Sequence, residues 1–487
     1  MAPDLPSQRP RSLLRAIGTY GLALAVARGV SVLAVPLVTW AVAPDDLGAF
    51  AVLNSLVVLT FATVVDFGLD TAALRLASDE VGERRRCIFS TLVALRMLLA
   101  AAGTCGLVLI RDRAAEALGS GRYADLLPWL ALTLLLGSPA RAISNWLRVE
   151  GRHLPVALVM GLVGALEGGL FIVLVYLLRW GLDGLVAARL ASQVVVLLPL
   201  LWLGRGVLRT RPSWRWVSPL FRLGVPFAAL YALTGLRELD RYIVAELGSL
   251  SVAGVYDLAV RAAAPLGMLN LALMMTLEPV LHARHADATL GRDVDAFLRG
   301  YAWLGGSLSF LVAMGCPELS SWVSEPYRAV VVVVPGMLFL EVLEGVRRIA
   351  GVGGELSRRT ELWIVAAAVN AAVTVVLSLW LVPRFPLLGA PAALLAGTAS
   401  GTLVAHRLGE RAVRLKLSVP LVGSLCLASA ALASWLVGAG RVGPTPGWIR
   451  AAASLAFPVA LAGALGVRWA TMRSTLSTAL SRLSEPR

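Results

Sequence analysis

Arg28, Asp66, Arg141, Asp257, Arg261 and Glu341 all lie inside long apolar runs of sequence. Arginine stays charged in any protein environment and presents a planar fork of N–H donors. Arginines placed together therefore suit phosphate or carboxylate oxygens. Arg141 shares a helical face with Asn145, and Asp257 precedes Arg261 by one helical turn. Arg28, Arg141, Asp257 and Arg261 are the expected substrate-binding residues. Asp66 and Glu341 are the carboxylates expected to line a cavity or take part in coupling. The chemistry of this set is recognition of an anion, not bond making or breaking.

A plainer reading is that such charges neutralise one another. Asp257 with Arg261, and Glu344 with Arg348, have i, i+4 spacing; Glu238 with Arg241 has i, i+3. Arg75, Arg96 and Arg189 fall near the ends of apolar runs, where long side chains reach for the headgroups. Glu167, Arg237, Asp240 and Arg347 are expected to be structural. Glu278, His282 and His285 have a spacing that could ligate a metal on one helix face. The expected environment is a solvated helix end, so no metal is expected. Four widely spaced cysteines form no disulfide framework. There is no phosphate-binding GxxxxGK[ST], no HExxH and no GxSxG. Neither an enzyme nor a cofactor is expected.

These charges need apolar elements to hold them. Of 487 residues, 58% are hydrophobic and only 15% charged, with a mean hydropathy of +0.77. A soluble domain is about half apolar and about a quarter charged. Fourteen stretches can cross a bilayer. They fall near 17–43, 47–76, 88–110, 126–147, 154–178, 183–203, 220–247, 251–280, 297–316, 327–350, 361–382, 386–406, 417–437 and 448–470. The second, seventh and eighth exceed the bilayer thickness and should tilt or protrude. The first is too long for a signal-peptide core and is expected to be retained. No loop could fold as a domain; the longest outside one is about 111–125.

Arginines cluster in alternate loops, among them Arg84 to Arg86, Arg148, Arg152, Arg205 to Arg215, Arg347, Arg348, Arg407 and Arg411. By the positive-inside rule these loops and both termini are cytoplasmic. The net charge of +14 follows from this asymmetry, and nucleic-acid binding is excluded for want of a basic folded domain.

The chain also repeats itself. Asp46 to Val52 reappears as Val252 to Leu258, and Trp180 to Ala188 as Phe385 to Ala393. Gly48 to Gly254 is 206 residues, and Gly184 to Gly389 is 205. A near-constant offset implies two homologous six-helix halves, an arrangement that puts a transporter's substrate site at the interface between them. The expected fold is an all-α polytopic membrane protein of about fourteen helices. Two pseudo-symmetric lobes surround a central cavity, followed by two extra helices. The expected parts are an N-terminus at 1–16, an N-lobe at 17–210, a C-lobe at 211–410, and the last two spans with the tail at 411–487. Pro36, Pro226, Pro265 and Pro335 are expected to kink their helices.

Short signatures carry a family resemblance. They are Pro44-x-x-x-Gly48-x-Phe50, Asp66-Phe67-Gly68-Leu69, Gly224-Val225-Pro226, Asp240-Arg241, Gly254-Val255-Tyr256 and Glu278-Pro279. Through them the chain to about residue 410 resembles the MOP flippase superfamily, most closely its Wzx-type polysaccharide flippases. The resemblance implies two lobes in a V, alternating access and a polyprenyl-diphosphate-linked oligosaccharide as cargo. Lys416 is the only lysine, so any lysine a relative uses in the cavity is missing.

The function expected is transfer of that cargo from the cytoplasmic to the outer leaflet of a bacterial plasma membrane. Membrane lipids, a polysaccharide polymerase and glycosyltransferases are the expected partners. Three alternatives stand beside it: a cation-coupled multidrug exporter of the MATE branch, a lipid II flippase, and a non-transporting scaffold. An exporter calls for a compact acidic pocket with aromatics, and a scaffold for a large soluble domain.

Overall fold

The computed structural model describes residues 34–78, 80–283, 290–352, 360–413, 416–438 and 447–467. Among these residues there is no strand. In a bilayer a helix satisfies its own backbone polar groups, so long apolar runs become helices.

The helix at 34–39 is α1. Then come α2 Pro44–Ser78, α3 Gly82–Leu109, α4 Leu126–Val149 and α5 His153–Leu170, which runs on through Phe171–Leu177. α6 is Gly181–Leu203, α7 Trp214–Leu247, α8 Leu250–Ala283 and α9 Leu290–Leu319. α10 Val330–Ala350, α11 Thr360–Leu381, α12 Gly389–Ala412, α13 Val419–Gly438 and α14 Gly447–Leu465 complete the order. Eight of the described segments are individually long and apolar enough to cross a membrane. The expected excess length of spans two, seven and eight is observed.

The duplication is visible in element positions. α2 to α6 and α8 to α12 begin 204 to 208 residues apart, pair by pair. Pro44 opens α2 with Asp45 and Asp46 in its first turn, which suits the helix dipole. In the second half Ser249 caps α8, its hydroxyl accepting the Val252 N–H at 3.2 Å. The turns before α4 and α10, Gly121–Tyr123 and Glu325–Tyr327, each bury a tyrosine.

α2 and α8 cross at glycine. A Cβ on Gly48 would lie 2.0 Å from the Leu250 carbonyl oxygen, and one on Gly254 would lie 2.0 Å from that of Pro44. Lipid offers no hydrophobic drive for helices to associate, so close backbone approach at small residues supplies the contact energy.

The apolar core is shared at one end and divided at the other. Leu47, Phe50 and Tyr123 of the first lobe join Tyr256, Phe310, Tyr327 and Phe339 of the second in one cluster. Toward the arginine-rich end the first lobe has its own cluster, around Leu69, Phe89, Ile143 and Trp146. The second lobe has another, around Leu298, Leu343, Val346 and Leu461. The shared end carries a polar latch between lobes. The Ser324 amide donates to Thr39 Oγ1 at 3.1 Å, and its hydroxyl donates to the Thr39 carbonyl at 2.6 Å. The Tyr327 hydroxyl donates to Val42 O at 3.2 Å, and Trp40 Nε1 to Trp322 O at 2.9 Å. α13 and α14 pack on α9, and α13 also on α10, outside the duplicated core.

Among the described residues the changes of helix type lie away from Pro226, Pro265 and Pro335. α7, α8 and α10 run as α-helix through Pro226, Pro265 and Pro335. The breaks are π-helical turns at Phe61–Asp66 and Phe171–Leu177 and a 3-10 turn at Leu236–Leu239. After the first of them Phe67 and Gly68 take left-handed backbone, φ 42° and 71°. A Cβ on Gly68 would meet the Gly224 carbonyl oxygen of α7 at 2.3 Å. This is a second tight contact between lobes that only glycine permits.

Candidate functional site

A cavity of about 880 Å³ lies against the first lobe. It runs from Leu47 and Leu185 at the shared core to Arg148 and Leu200 toward the arginine-rich end. Five arginines line it (Arg141, Arg148, Arg189, Arg241 and Arg261) against three carboxylates, Asp70, Glu167 and Asp257. Asn54, Asn145 and Gln193 add neutral polar groups.

Arg141 is exposed to this cavity and makes no direct ion pair among the described residues, with Asp70 and Asp66 the carboxylates that attract it. Its guanidinium sits 4.3 Å from the centre of the Phe61 ring. Phe61 opens the π-helical turn of α2, so the irregular backbone presents the ring that holds Arg141. Such turns recur at functional sites. The second π-helical turn opens with Phe171, also on the cavity wall. Arg261 crosses from α8 to lie 5.6 Å from the Phe50 ring and 6.0 Å from the Phe171 ring. Arg189 of α6 meets Glu167 of α5 at 3.3 Å, and its Nε is buried without a hydrogen-bond partner.

A second cavity of about 400 Å³ lies in the other lobe. Its charges balance: Arg237, Arg241, Arg347 and Arg348 face Glu238, Asp240, Glu341 and Glu344. Arg237 of α7 donates to Glu344 of α10 at 2.6 Å, and Arg347 Nε donates to the other Glu344 oxygen at 2.8 Å. Arg241 lines both cavities.

The expected site residues are distributed as follows. Arg141, Asn145, Asp257 and Arg261 come together on the larger cavity, and Glu341 lies on the smaller one. Asp66 is buried beside Asp70, Arg96 and Arg141, with one oxygen lacking a hydrogen-bond partner. Arg28 lies outside the described residues, as do His285 and the side chains of Glu278 and His282. Among the described residues no cluster could hold a metal.

Some expected pairings hold. Asp257 accepts from Arg261 Nε at 2.6 Å, and Glu238 from Arg241 at 2.7 Å. Others are corrected. The paired partners of Glu344 are Arg347 and Arg237 rather than Arg348, because the i, i+3 neighbour and an arginine from a facing helix reach it. Arg96 does not reach for headgroups. It is wholly buried, paired with Asp70 and 5.1 Å from the Phe61 ring. Arg75 lies 4.7 Å from the Phe227 ring. Arg189 turns into the cavity and was missed as a site residue. Its clue was Glu167, an acid in mid-span with no other expected counter-charge.

Residues 39–315 match the family described as Polysaccharide biosynthesis protein. No curated protein matches the sequence. Among solved structures the fold is similar to that of the lipid II flippase MurJ in an inward closed conformation. The TM-score is 0.68 at 10% identity, covering 91% of this chain and 97% of that one. It is also similar to a multidrug resistance MATE family transporter of the MOP superfamily. The outward-facing form gives TM-score 0.61 at 16% identity, covering 85% of this chain and 100% of the other. The inward-facing form gives 0.60 at 16%, covering 84% and 99%.

Proposed function

We propose, because this chain belongs to the polysaccharide biosynthesis protein family and has the MOP transporter fold, that it moves a polyprenyl-diphosphate-linked oligosaccharide between bilayer leaflets for cell-surface polysaccharide synthesis. One observation carries the choice of cargo: the first-lobe cavity holds five arginines against three carboxylates, and Arg141, though Asp70 and Asp66 lie near it, makes no direct ion pair among the described residues. A guanidinium without a direct ion pair at membrane depth is costly, by about 2.5–3.5 kcal/mol on insertion scales. A diphosphate in the cavity would offset that cost through charge-assisted, bidentate hydrogen bonds. Arg141, Arg189 and Arg261 hold the headgroup in this reading, with Arg28 as a fourth contact. Asp66 and Glu341 remain the proposed coupling or cavity residues. The lipid tail stays in the bilayer while the sugars pass between the lobes.

The direction is cytoplasmic to outer leaflet across a bacterial plasma membrane, with both termini on the arginine-rich side. The lobes divide at 17–210 and 211–410, and 411–487 lies outside the duplicated core. A polymerase and glycosyltransferases would act on the same cargo.

A deletion strain tests this. The gene should restore surface polysaccharide, and Arg28→Ala and Arg141→Ala variants should not, at unchanged protein level. Drug hypersensitivity with normal surface glycan would instead identify a cation-coupled exporter. Arrest of peptidoglycan synthesis would identify lipid II as the cargo.

A further inference from the structure

Asp257 is a carboxylate at the end of a cavity whose other charges favour an anion. It is 4% exposed and shared by two arginines. Arg241 Nε donates to its Oδ1 at 3.0 Å, and Arg261 Nε to its Oδ2 at 2.6 Å. The two arginines are not held alike. Arg241 is also anchored by Glu238 at 2.7 Å and Asp240 at 3.3 Å, and the Tyr256 hydroxyl fixes Asp240 by donating to it. Arg261 has Asp257 as its only ion-pair partner among the described residues. Its side chain is 29% exposed, on the cavity wall.

From this asymmetry we infer that Asp257 is an internal competitor for Arg261 and sets which phosphorylated lipids the cavity accepts. The inference rests on the anionic-lipid reading of the same cavity. A headgroup that relies on Arg261 must take its guanidinium from Asp257, while Arg241 keeps the displaced carboxylate neutralised. A lipid linked to sugar through one phosphate carries a single negative charge, equal to the carboxylate it must displace. A diphosphate link carries two charges, one on each phosphorus, and its second phosphate can engage Arg141 or Arg189 at the same time. Discrimination is a difference of affinities, and this cost falls in full only on the ligand that depends on Arg261, whereas a diphosphate can also bind through Arg141 and Arg189. Recapture of Arg261 by Asp257 also speeds release of the headgroup after transfer.

The test is equilibrium binding to the full-length protein in nanodiscs. The probes are farnesyl-diphosphate-linked and farnesyl-monophosphate-linked N-acetylglucosamine. Wild type should favour the diphosphate by about tenfold or more. Asp257→Asn should bind both probes more tightly and narrow the preference, with the monophosphate gaining about tenfold. Arg241→Lys keeps a cation beside Glu238 and Asp240 but leaves Asp257 to Arg261. It should bind both probes more weakly and sharpen the preference. This variant keeps the inference testable if Asp257→Asn does not fold. Weaker or unchanged binding by Asp257→Asn, or tighter binding by Arg241→Lys, overturns the inference while leaving the anionic-lipid reading in place. Failure of the wild type to bind either probe overturns both.

Discussion

Gly48 and Gly254 each press an α-carbon against the carbonyl oxygen of the residue four positions before the other, at Pro44 and Leu250. The relation is reciprocal, as the contact across a two-fold axis must be. It places the 206-residue offset of the sequence on a physical axis between the lobes.

A methyl group at either glycine has nowhere to go, since the atoms it meets are backbone. Gly48→Ala and Gly254→Ala should each destabilise the protein by about 1–3 kcal/mol, the usual range for overpacking. The pair should be non-additive, because both push on one contact. Thermal melting of the purified protein, followed by size-exclusion chromatography, would measure this. Wild-type melting of both variants would mean the helices do not cross here.

Opening the shared end requires the latch between Thr39 and Ser324 to part. A Thr39→Cys, Ser324→Cys pair in a background without Cys87, Cys105, Cys316 and Cys426 should cross-link. Transport should stop on oxidation and return with reductant. Undiminished transport by the cross-linked protein would show that this end does not open.

Arg96 and Asp70 form a pair in which the arginine is wholly buried. Removing one partner strands the other charge at a cost of about 3–5 kcal/mol, whereas replacing both by apolar residues removes most of that penalty. Arg96→Leu and Asp70→Leu should each melt well below wild type, and the double variant should recover. A double variant as unstable as the singles would remove the pair from the account of stability.

Much of this was legible in the sequence because local spacing and long-range repetition are both linear signals. Asp257 with Arg261, and Glu238 with Arg241, follow from helix geometry alone. The Gly48 to Gly254 offset marked the two halves through repetition, but it did not show that these glycines meet where α2 and α8 cross. The spacing of Arg141 and Asn145 puts them on one helical face, and both line the larger cavity. Facing direction was not legible. Arg96 and Arg189 sit near span ends, and position along a helix does not say whether a side chain turns to lipid or inward. The Arg237 to Glu344 pair joins residues 107 apart, beyond any local rule. The π-helical turn that presents Phe61 to both Arg96 and Arg141 left no mark in composition.

The most direct measurement is transfer of a fluorescent undecaprenyl-diphosphate-linked oligosaccharide between leaflets of proteoliposomes, read by access of a glycosidase to the outer leaflet. Wild type should transfer it, and Arg141→Ala should slow transfer by roughly tenfold to a hundredfold, the loss expected for hydrogen bonds to a charged group. Transfer no faster than in protein-free liposomes, or an Arg141→Ala rate equal to wild type, would contradict the account.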